Sequence, residues 1–167
     1  MINVELYLDG VNRDLWNTMN QHFNIKIDYS ADGYYTNYRK KNDCTIYVPR
    51  YRIPDSVSFT HELLHLYLPH NKIFIGGALE RILKVKHPIN VIFDKELYDH
   101  ISNSLEHIKM LPLYLKMGYP IESFILDYYD VKLTDSEVDN LCKKYKPGIL
   151  FPKYNRLAIN YFIGKFF

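Results

Sequence analysis

The chain has 167 residues, of which 47% are hydrophobic and 16% aromatic, and its 21 basic and 19 acidic residues leave a formal net charge of +2. This size and composition exclude a disordered chain and predict one folded domain spanning residues 1–167. The near balance of charge argues against nucleic acid as a partner.

The cysteines and the apolar segments narrow the class of protein further. Cys44 and Cys142 have no CxxC spacing, which argues against a disulfide framework and against a cysteine-based zinc site. The first ten residues, MINVELYLDG, lack the basic and apolar regions of a signal peptide, and no apolar run is long enough to cross a membrane. We therefore expect a cytoplasmic protein with no membrane partner.

The first half of the chain predicts a small sheet with helices. Residues 3–8, NVELYL, could begin a strand, and the helical spacing of Leu15, Met19 and Phe23 predicts a helix after them. The alternation in NIKIDYS, residues 24–30, and the β-branched and aromatic residues of CTIYVP, residues 44–49, predict two strands. The polar segment YYTNYRKKND between them is either a strand or a loop.

The second half predicts mainly helices. After Pro54, Asp55 or Ser56 can cap a helix that ends near Pro69. A long helix is predicted from about Asp99 to Met117, with a kink or restart at Pro112 and Gly118 as its C-cap. PIESFILDYYD predicts a short helix, and TDSEVDNLCKKY opens with Thr134 and Glu137 in a capping-box arrangement.

The helix after Pro54 contains the segment SFTHELLHLYL, in which His61 and His65 lie four residues apart with Glu62 beside the first. Residues i and i+4 share one face of a helix, so both imidazoles can reach one metal ion. Zinc accepts histidine nitrogens, and a neighbouring glutamate can act as a general base without binding the metal. Glu62 is the only Asp, Glu, Lys or Arg in residues 56–68, and a carboxylate in so apolar a segment is costly without a partner. The pattern therefore predicts a zinc site with Glu62 as its catalytic base.

THELLHLYL resembles the HExxH motif of zincin metallopeptidases, and the longer segment TIYVPRYRIPDSVSFTHELLHL resembles the ImmA/IrrE type of zincin. This resemblance implies an α+β fold in which a small sheet packs on the active-site helix and a second helix delivers a third metal ligand. It also implies a protease that acts on a partner protein in a stress or mobile-element context.

A third ligand is needed because two histidines do not hold a catalytic zinc ion well. On the long helix, a helical projection groups several aliphatic residues on one face, which we expect to be buried, whereas Ser102, Lys109 and Lys116 should face solvent. The residues of the expected buried stripe are Ile101, Leu105, Ile108, Leu111 and Leu115. His107 borders that stripe, so the projection favours His107 as the third metal ligand. Asn103 lies on a neighbouring part of the helix and could orient either His107 or the water at the metal.

The resemblance points instead to an acidic third ligand, which would be Glu106 or Asp99, and His100 is a further alternative. Tyr67, Tyr98 or Tyr114 could donate a hydrogen bond to a developing oxyanion. We interpret His22, His70 and His87 as surface or loop residues.

These features predict a zinc-dependent hydrolase, most directly a metallopeptidase that cleaves a peptide or a partner protein. The cofactor would be Zn²⁺, held by His61, His65 and a third residue. Two alternatives stay open: a non-catalytic or regulatory protein of zincin fold, and an effector component of a defence or mobile-element module. Glu62 argues against the first alternative because a purely structural metal site does not need it.

Overall fold

The computed structural model describes residues 2–76, 81, 95–124 and 134–144. The described elements mix helices with a small three-stranded sheet, as the α+β prediction requires. The helices are α1 (Arg13–His22), α2 (Ser56–His70), α3 (Lys95–Lys116) and α4 (Asp135–Lys144), and 3-10 turns cover Val4–Tyr7 and Ile121–Ser123. The strands are β1 (Asn24–Tyr29), β2 (Thr36–Lys40) and β3 (Asp43–Val48).

The sheet has the order β1-β3-β2, with β1 parallel to β3 and β2 antiparallel to it. The segment left open between strand and loop is therefore the edge strand β2. Lys41 adopts a positive φ of 58° in the two-residue connection to β3, the conformation that such tight hairpins demand. In β3, buried residues alternate with half-buried ones, so Cys44, Ile46 and Val48 face the core.

The prediction of a strand at residues 3–8 is wrong. Val4–Tyr7 form a 3-10 turn, which the Asn3 side chain caps by accepting a 3.1 Å hydrogen bond from the Glu5 backbone N–H. The Asn3 carboxamide thus satisfies a donor that would otherwise need a strand partner. Tyr7 is buried and becomes part of the core.

Two clusters of buried side chains hold these elements. The larger one joins α1, the sheet and one face of α2, and its members are Tyr7, Met19, Phe23, Cys44, Ile46, Val48, Phe59, Leu63 and Leu66. The smaller one joins the opposite face of α2 to α3, and its members are Leu64, Leu68, Met110, Tyr114 and Phe124. Since α2 contributes to both clusters, it is apolar on two sides, which explains the near absence of charge along it.

The buried face of α3 differs from the stripe that the sequence predicts. Leu105, Ile108 and Leu115 are 38%, 52% and 43% exposed, whereas Met110 and Tyr114 are fully buried. Ser102, which we expected to face solvent, is also buried. Met110 and Tyr114 set the rotation of α3, because they are its large fully buried side chains. A helical projection based on aliphatic residues leaves out tyrosine, although the tyrosine ring packs as a large apolar group.

Helix α3 begins at Lys95, four residues before the predicted start at Asp99, whereas the other helix ends lie close to the prediction. The short helix predicted for PIESFILDYYD is a 3-10 turn at Ile121–Ser123, and residues 125–130 lie outside the described residues. Helix α3 continues through Pro112 without a restart, and Gly118 follows it with a φ of +91°, which is the conformation of a glycine C-cap. Helix α2 ends at His70, one residue after Pro69. Helix α4 lies where the capping-box pattern predicts it.

Contacts within the chain define two compact units, Met1–Phe74 with Ile108–Leu126 and Ile75–His107 with Asp127–Phe167. The first unit contains α1, the sheet, α2 and both buried clusters. Helix α3 is continuous across the boundary between His107 and Ile108. The prediction of a single domain stays a prediction. None of the helices in the described part of the chain is both long enough and apolar enough to cross a membrane.

Candidate metal centre

Helix α2 fixes the position of the HExxH segment. Asp55 is its N-cap, and the Asp55 carboxylate accepts hydrogen bonds from the backbone N–H groups of Val57 and Ser58 at 3.0 and 3.1 Å. Apolar residues on both sides of α2 are buried, which leaves His61 and His65 half-buried on the remaining face. Their ring centroids are 5.1 Å apart, so the two imidazoles lie side by side as the i, i+4 spacing predicts.

Helix α3 places His107 beside the imidazoles of His61 and His65. His107, Met110 and Tyr114 occupy positions i, i+3 and i+7 and therefore share one face of the helix. Met110 and Tyr114 pack against Leu64 and Leu68 of α2, so the face that carries His107 is directed by that contact. One potential ligand atom from each of His61, His65 and His107 lies within 4.8 Å of the other two, and all three side chains are half-buried.

The alternative third ligands do not join this group. Among the described residues, the three-member group that could hold a metal ion contains neither Glu106 nor Asp99 nor His100. Glu106 is half-buried, whereas Asp99, His100 and Asn103 are exposed. The geometry favours the histidine over the acidic ligand that the resemblance implies, although the stripe used to choose it was misplaced. The role of Asn103 in orienting the ligand or the water stays a prediction.

Glu62 is held in a defined position beside the histidines. It is only 6% exposed, and the side-chain amide of Asn37 on β2 donates a 2.6 Å hydrogen bond to its Oε2. Burial raises the pKa of Glu62, while the nearby His65 and the hydrogen bond from Asn37 act to lower it. The edge strand thus supplies the partner that a carboxylate in this apolar segment requires.

Asn37 is one of the functional residues that the sequence did not reveal. An asparagine in a polar segment ordinarily indicates a turn or a solvated strand, and no local spacing links residue 37 to residue 62. Phe124 is another: its ring centroid lies 4.7 Å from that of His61 and 4.8 Å from that of Tyr114. This contact restricts the orientation of the His61 imidazole, but an apolar residue after a short turn carries no sequence signal for that role.

A buried polar network fixes α2 immediately before His61. The side-chain amide of Asn12 donates to the Thr60 hydroxyl at 2.9 Å and to the Tyr7 carbonyl at 3.0 Å, and the Thr60 hydroxyl in turn donates to the Ser56 carbonyl at 2.6 Å. Asn12 and Thr60 are completely buried. Because a buried amide or hydroxyl is costly unless paired, this network specifies one arrangement of the chain before α1 against the start of α2.

Asp9 extends the network to the residues after α3. It accepts hydrogen bonds from the Tyr119 hydroxyl at 3.0 and 3.2 Å and from the backbone N–H groups of Val11 and Asn12. Burial acts to raise the pKa of Asp9, but hydrogen bonds from Ser56, Asn12, Val11 and Tyr119 outweigh it and the pKa is lowered. The carboxylate therefore stays ionised as the acceptor that the network needs.

The three tyrosines considered as oxyanion donors differ in their surroundings. Tyr98 donates a 2.6 Å hydrogen bond to the Gly76 carbonyl. Tyr67 is half-buried and packs against both buried clusters. The Tyr114 hydroxyl is buried and has no hydrogen-bond partner among the described residues. A catalytic role for any of them stays a prediction.

Two of the remaining histidines meet away from this centre. His22 and His70 are the last residues of α1 and α2, and their ring centroids are 4.2 Å apart. His22 is exposed, as a surface residue should be, and His70 is half-buried at the end of its helix. His87 lies outside the described residues.

No protein-family model, no curated protein and no solved structure matches the chain.

Proposed function

We propose that the protein is a zinc-dependent hydrolase of zincin-like fold, a metallopeptidase that cleaves a peptide or a partner protein. The observation that carries this proposal is the convergence of His61, His65 and His107, whose ligand atoms lie within 4.8 Å of one another. Glu62 follows the first of these histidines directly, and Asn37 holds its carboxylate.

The donor set fits zinc. Zinc accepts neutral imidazole nitrogens, and catalytic zinc sites use three protein ligands so that water can take a further position. His61, His65 and His107 would hold the ion, and their partial burial leaves access for a substrate. When bound, Zn²⁺ supplies Lewis-acid activation of water and of the scissile carbonyl.

Glu62 would act as the general base and then as the general acid. Its carboxylate accepts a proton from the attacking water and donates a proton to the amine nitrogen of the leaving peptide, so that the peptide bond is hydrolysed. The hydrogen bond from Asn37 engages Oε2, so Oε1 would be the oxygen that accepts the proton of the water. Burial raises the pKa of Glu62 above its ordinary value, which makes the carboxylate a stronger base than a free glutamate.

The Glu62→Gln variant tests this assignment. Glutamine keeps the shape of the side chain and can still pair with Asn37, but it cannot accept the proton. We expect about one zinc ion per chain in the wild type and in the variant. We expect cleavage of a peptide library, measured by mass spectrometry, to fall by a factor of about 10²–10⁴ in the variant.

Cleavage that persists in Glu62→Gln would contradict the mechanism. Absence of zinc from the wild type after zinc is supplied would contradict the metal site itself. Zinc binding without cleavage of any library peptide would favour the non-catalytic or partner-restricted alternative.

A further inference from the structure

A pocket lies at the carboxyl ends of the two parallel strands, within the first compact unit. β1 and β3 stay paired up to Tyr29 and Val48, and the Ser30 N–H then donates a 2.9 Å hydrogen bond to the Val48 carbonyl. The segments that follow the two strands therefore leave the sheet at the same edge and border an open pocket of about 440 Å³. Small-molecule sites have volumes of this order, and ligands commonly bind beyond the carboxyl ends of parallel strands.

Two arginines line this pocket. The guanidinium carbon of Arg50 lies 4.8 Å from the centre of the Tyr29 ring, and that of Arg52 lies 5.8 Å from the centre of the Tyr34 ring. Within the described ranges, neither guanidinium has an ion pair or a hydrogen bond. Contact with an aromatic face restrains a guanidinium but does not use its N–H donors, which remain available to an oxyanion.

Two further lining residues complete a recognition surface. The Ser30 hydroxyl is buried and has no hydrogen-bond partner in the described part of the chain. Leaving such a group unpaired is unfavourable, so an acceptor or donor on a ligand would be stabilised there. Tyr51 is 93% exposed beside the arginines and offers a flat apolar surface.

No aspartate or glutamate is among the described residues that line the pocket, so its lining carries an uncancelled positive charge. Asp32 belongs to the segment that follows β1, but it is exposed, does not line the pocket, and accepts a 3.2 Å hydrogen bond from the Tyr34 N–H. The lining thus combines aromatic rings with two positive charges, and small-molecule sites commonly pair aromatic side chains with a few charged groups.

We propose that this pocket binds a small molecule that carries a phosphate or carboxylate group next to a flat ring. Arg50 and Arg52 hold the oxyanion through paired N–H donors, and Tyr51 covers the ring. The pocket is built by the segments before β2 and before α2, so this binding needs neither the metal ion nor the catalytic residues.

The test is an NMR titration of the ¹⁵N-labelled full chain with four probes. Adenosine monophosphate presents a phosphate with a ring, benzoate a carboxylate with a ring, inorganic phosphate the anion alone, and adenosine the ring alone. We expect saturable shifts of the amides of residues 29–34 and 50–52 with at least one ring-bearing anion and weaker binding of phosphate. Adenosine should cause none. Binding of the monophosphate but not of benzoate assigns the phosphate, and the reverse result assigns the carboxylate.

Arg50→Gln and Arg52→Gln should each weaken that binding about tenfold, because each removes a charge-assisted hydrogen bond. Ser30→Ala should weaken it about threefold. The matched control is Arg39→Gln, an exposed arginine of β2 that does not line the pocket, and it should leave the affinity unchanged. Both pocket arginines are exposed, so the variants should keep a wild-type spectrum elsewhere.

The proposal is overturned if no anionic probe causes saturable shifts up to about 10 mM. It is equally overturned if the affinity is unchanged in both arginine variants, or if adenosine binds as well as its monophosphate. None of these three results bears on zinc binding, so the failure of this site and the failure of the proposed hydrolase remain distinguishable.

Discussion

The two helices that carry the histidines are built in different ways. α2 is buried on two sides, is capped by Asp55, and is tied at Thr60 to a buried amide. α3 has several exposed aliphatic side chains and contributes Met110 and Tyr114 to the core. Two of the three proposed ligands are fixed by the local spacing on α2, whereas the position of the third depends on how α3 is rotated.

The largest effect is expected on stability, where a buried leucine of α2 is compared with an exposed isoleucine of α3. Leu66 is completely buried, so Leu66→Ala should lower the free energy of unfolding by about 2–5 kcal/mol through lost burial and a residual cavity. The control is Ile108→Ala on α3, at a side chain that is 52% exposed, and it should change stability by less than about 0.5 kcal/mol. Urea unfolding followed by circular dichroism measures both, and equal losses would show that α3 is buried as deeply as α2.

The next effect tests whether both helices contribute to one metal site. His61→Ala and His107→Ala should each weaken zinc binding by at least about 100-fold, since loss of a direct ligand should cost no less than loss of a supporting group. Competition with a chromophoric chelator measures the affinity.

The control for this pair is the double variant His22→Ala with His70→Ala, which removes two neighbouring histidines away from the centre and should leave the high-affinity site intact. If His107→Ala binds zinc like the wild type while Glu106→Gln does not, the acidic ligand implied by the resemblance is the correct one.

The same contrast explains what the sequence could predict. Strands β1 and β3, helices α1, α2 and α4 and the pairing of His61 with His65 depend on short repeating patterns, and they lie where the sequence predicts them. The start of α3 and the turn at Val4–Tyr7 do not. The choice of His107 needed the rotation of α3, which depends on Met110 and Tyr114 rather than on the aliphatic residues first assigned to the core. Asn37 could not be predicted, because its contact with Glu62 joins residues 25 positions apart and follows from the sheet packing on α2.

A smaller effect tests the polar anchor of α2. Asn12→Ala leaves the Thr60 hydroxyl and the Tyr7 carbonyl without their donor inside the core, so stability should fall by about 1–3 kcal/mol. Asn20→Ala is the matched control because Asn20 is exposed on α1, where alanine favours the helix and stability should stay within about 0.5 kcal/mol. Thermal unfolding of the two variants measures the difference. Equal stability would mean that the buried network contributes specificity without net free energy.

The smallest effect concerns the first turn of α2. Asp55→Ala removes the acceptor of the Val57 and Ser58 N–H groups and should cost about 1 kcal/mol, whereas Asp55→Asn should cost only a few tenths because asparagine caps nearly as well. Hydrogen exchange at those two amides should accelerate in the alanine variant alone. Zinc affinity should not change in either, because Thr60 holds the helix just before His61 and the buried leucines hold it after His61. A parallel loss of zinc affinity in Asp55→Ala would instead mean that the first turn and the metal centre open together, and that α2 is no more rigid around its histidines than α3 is around His107.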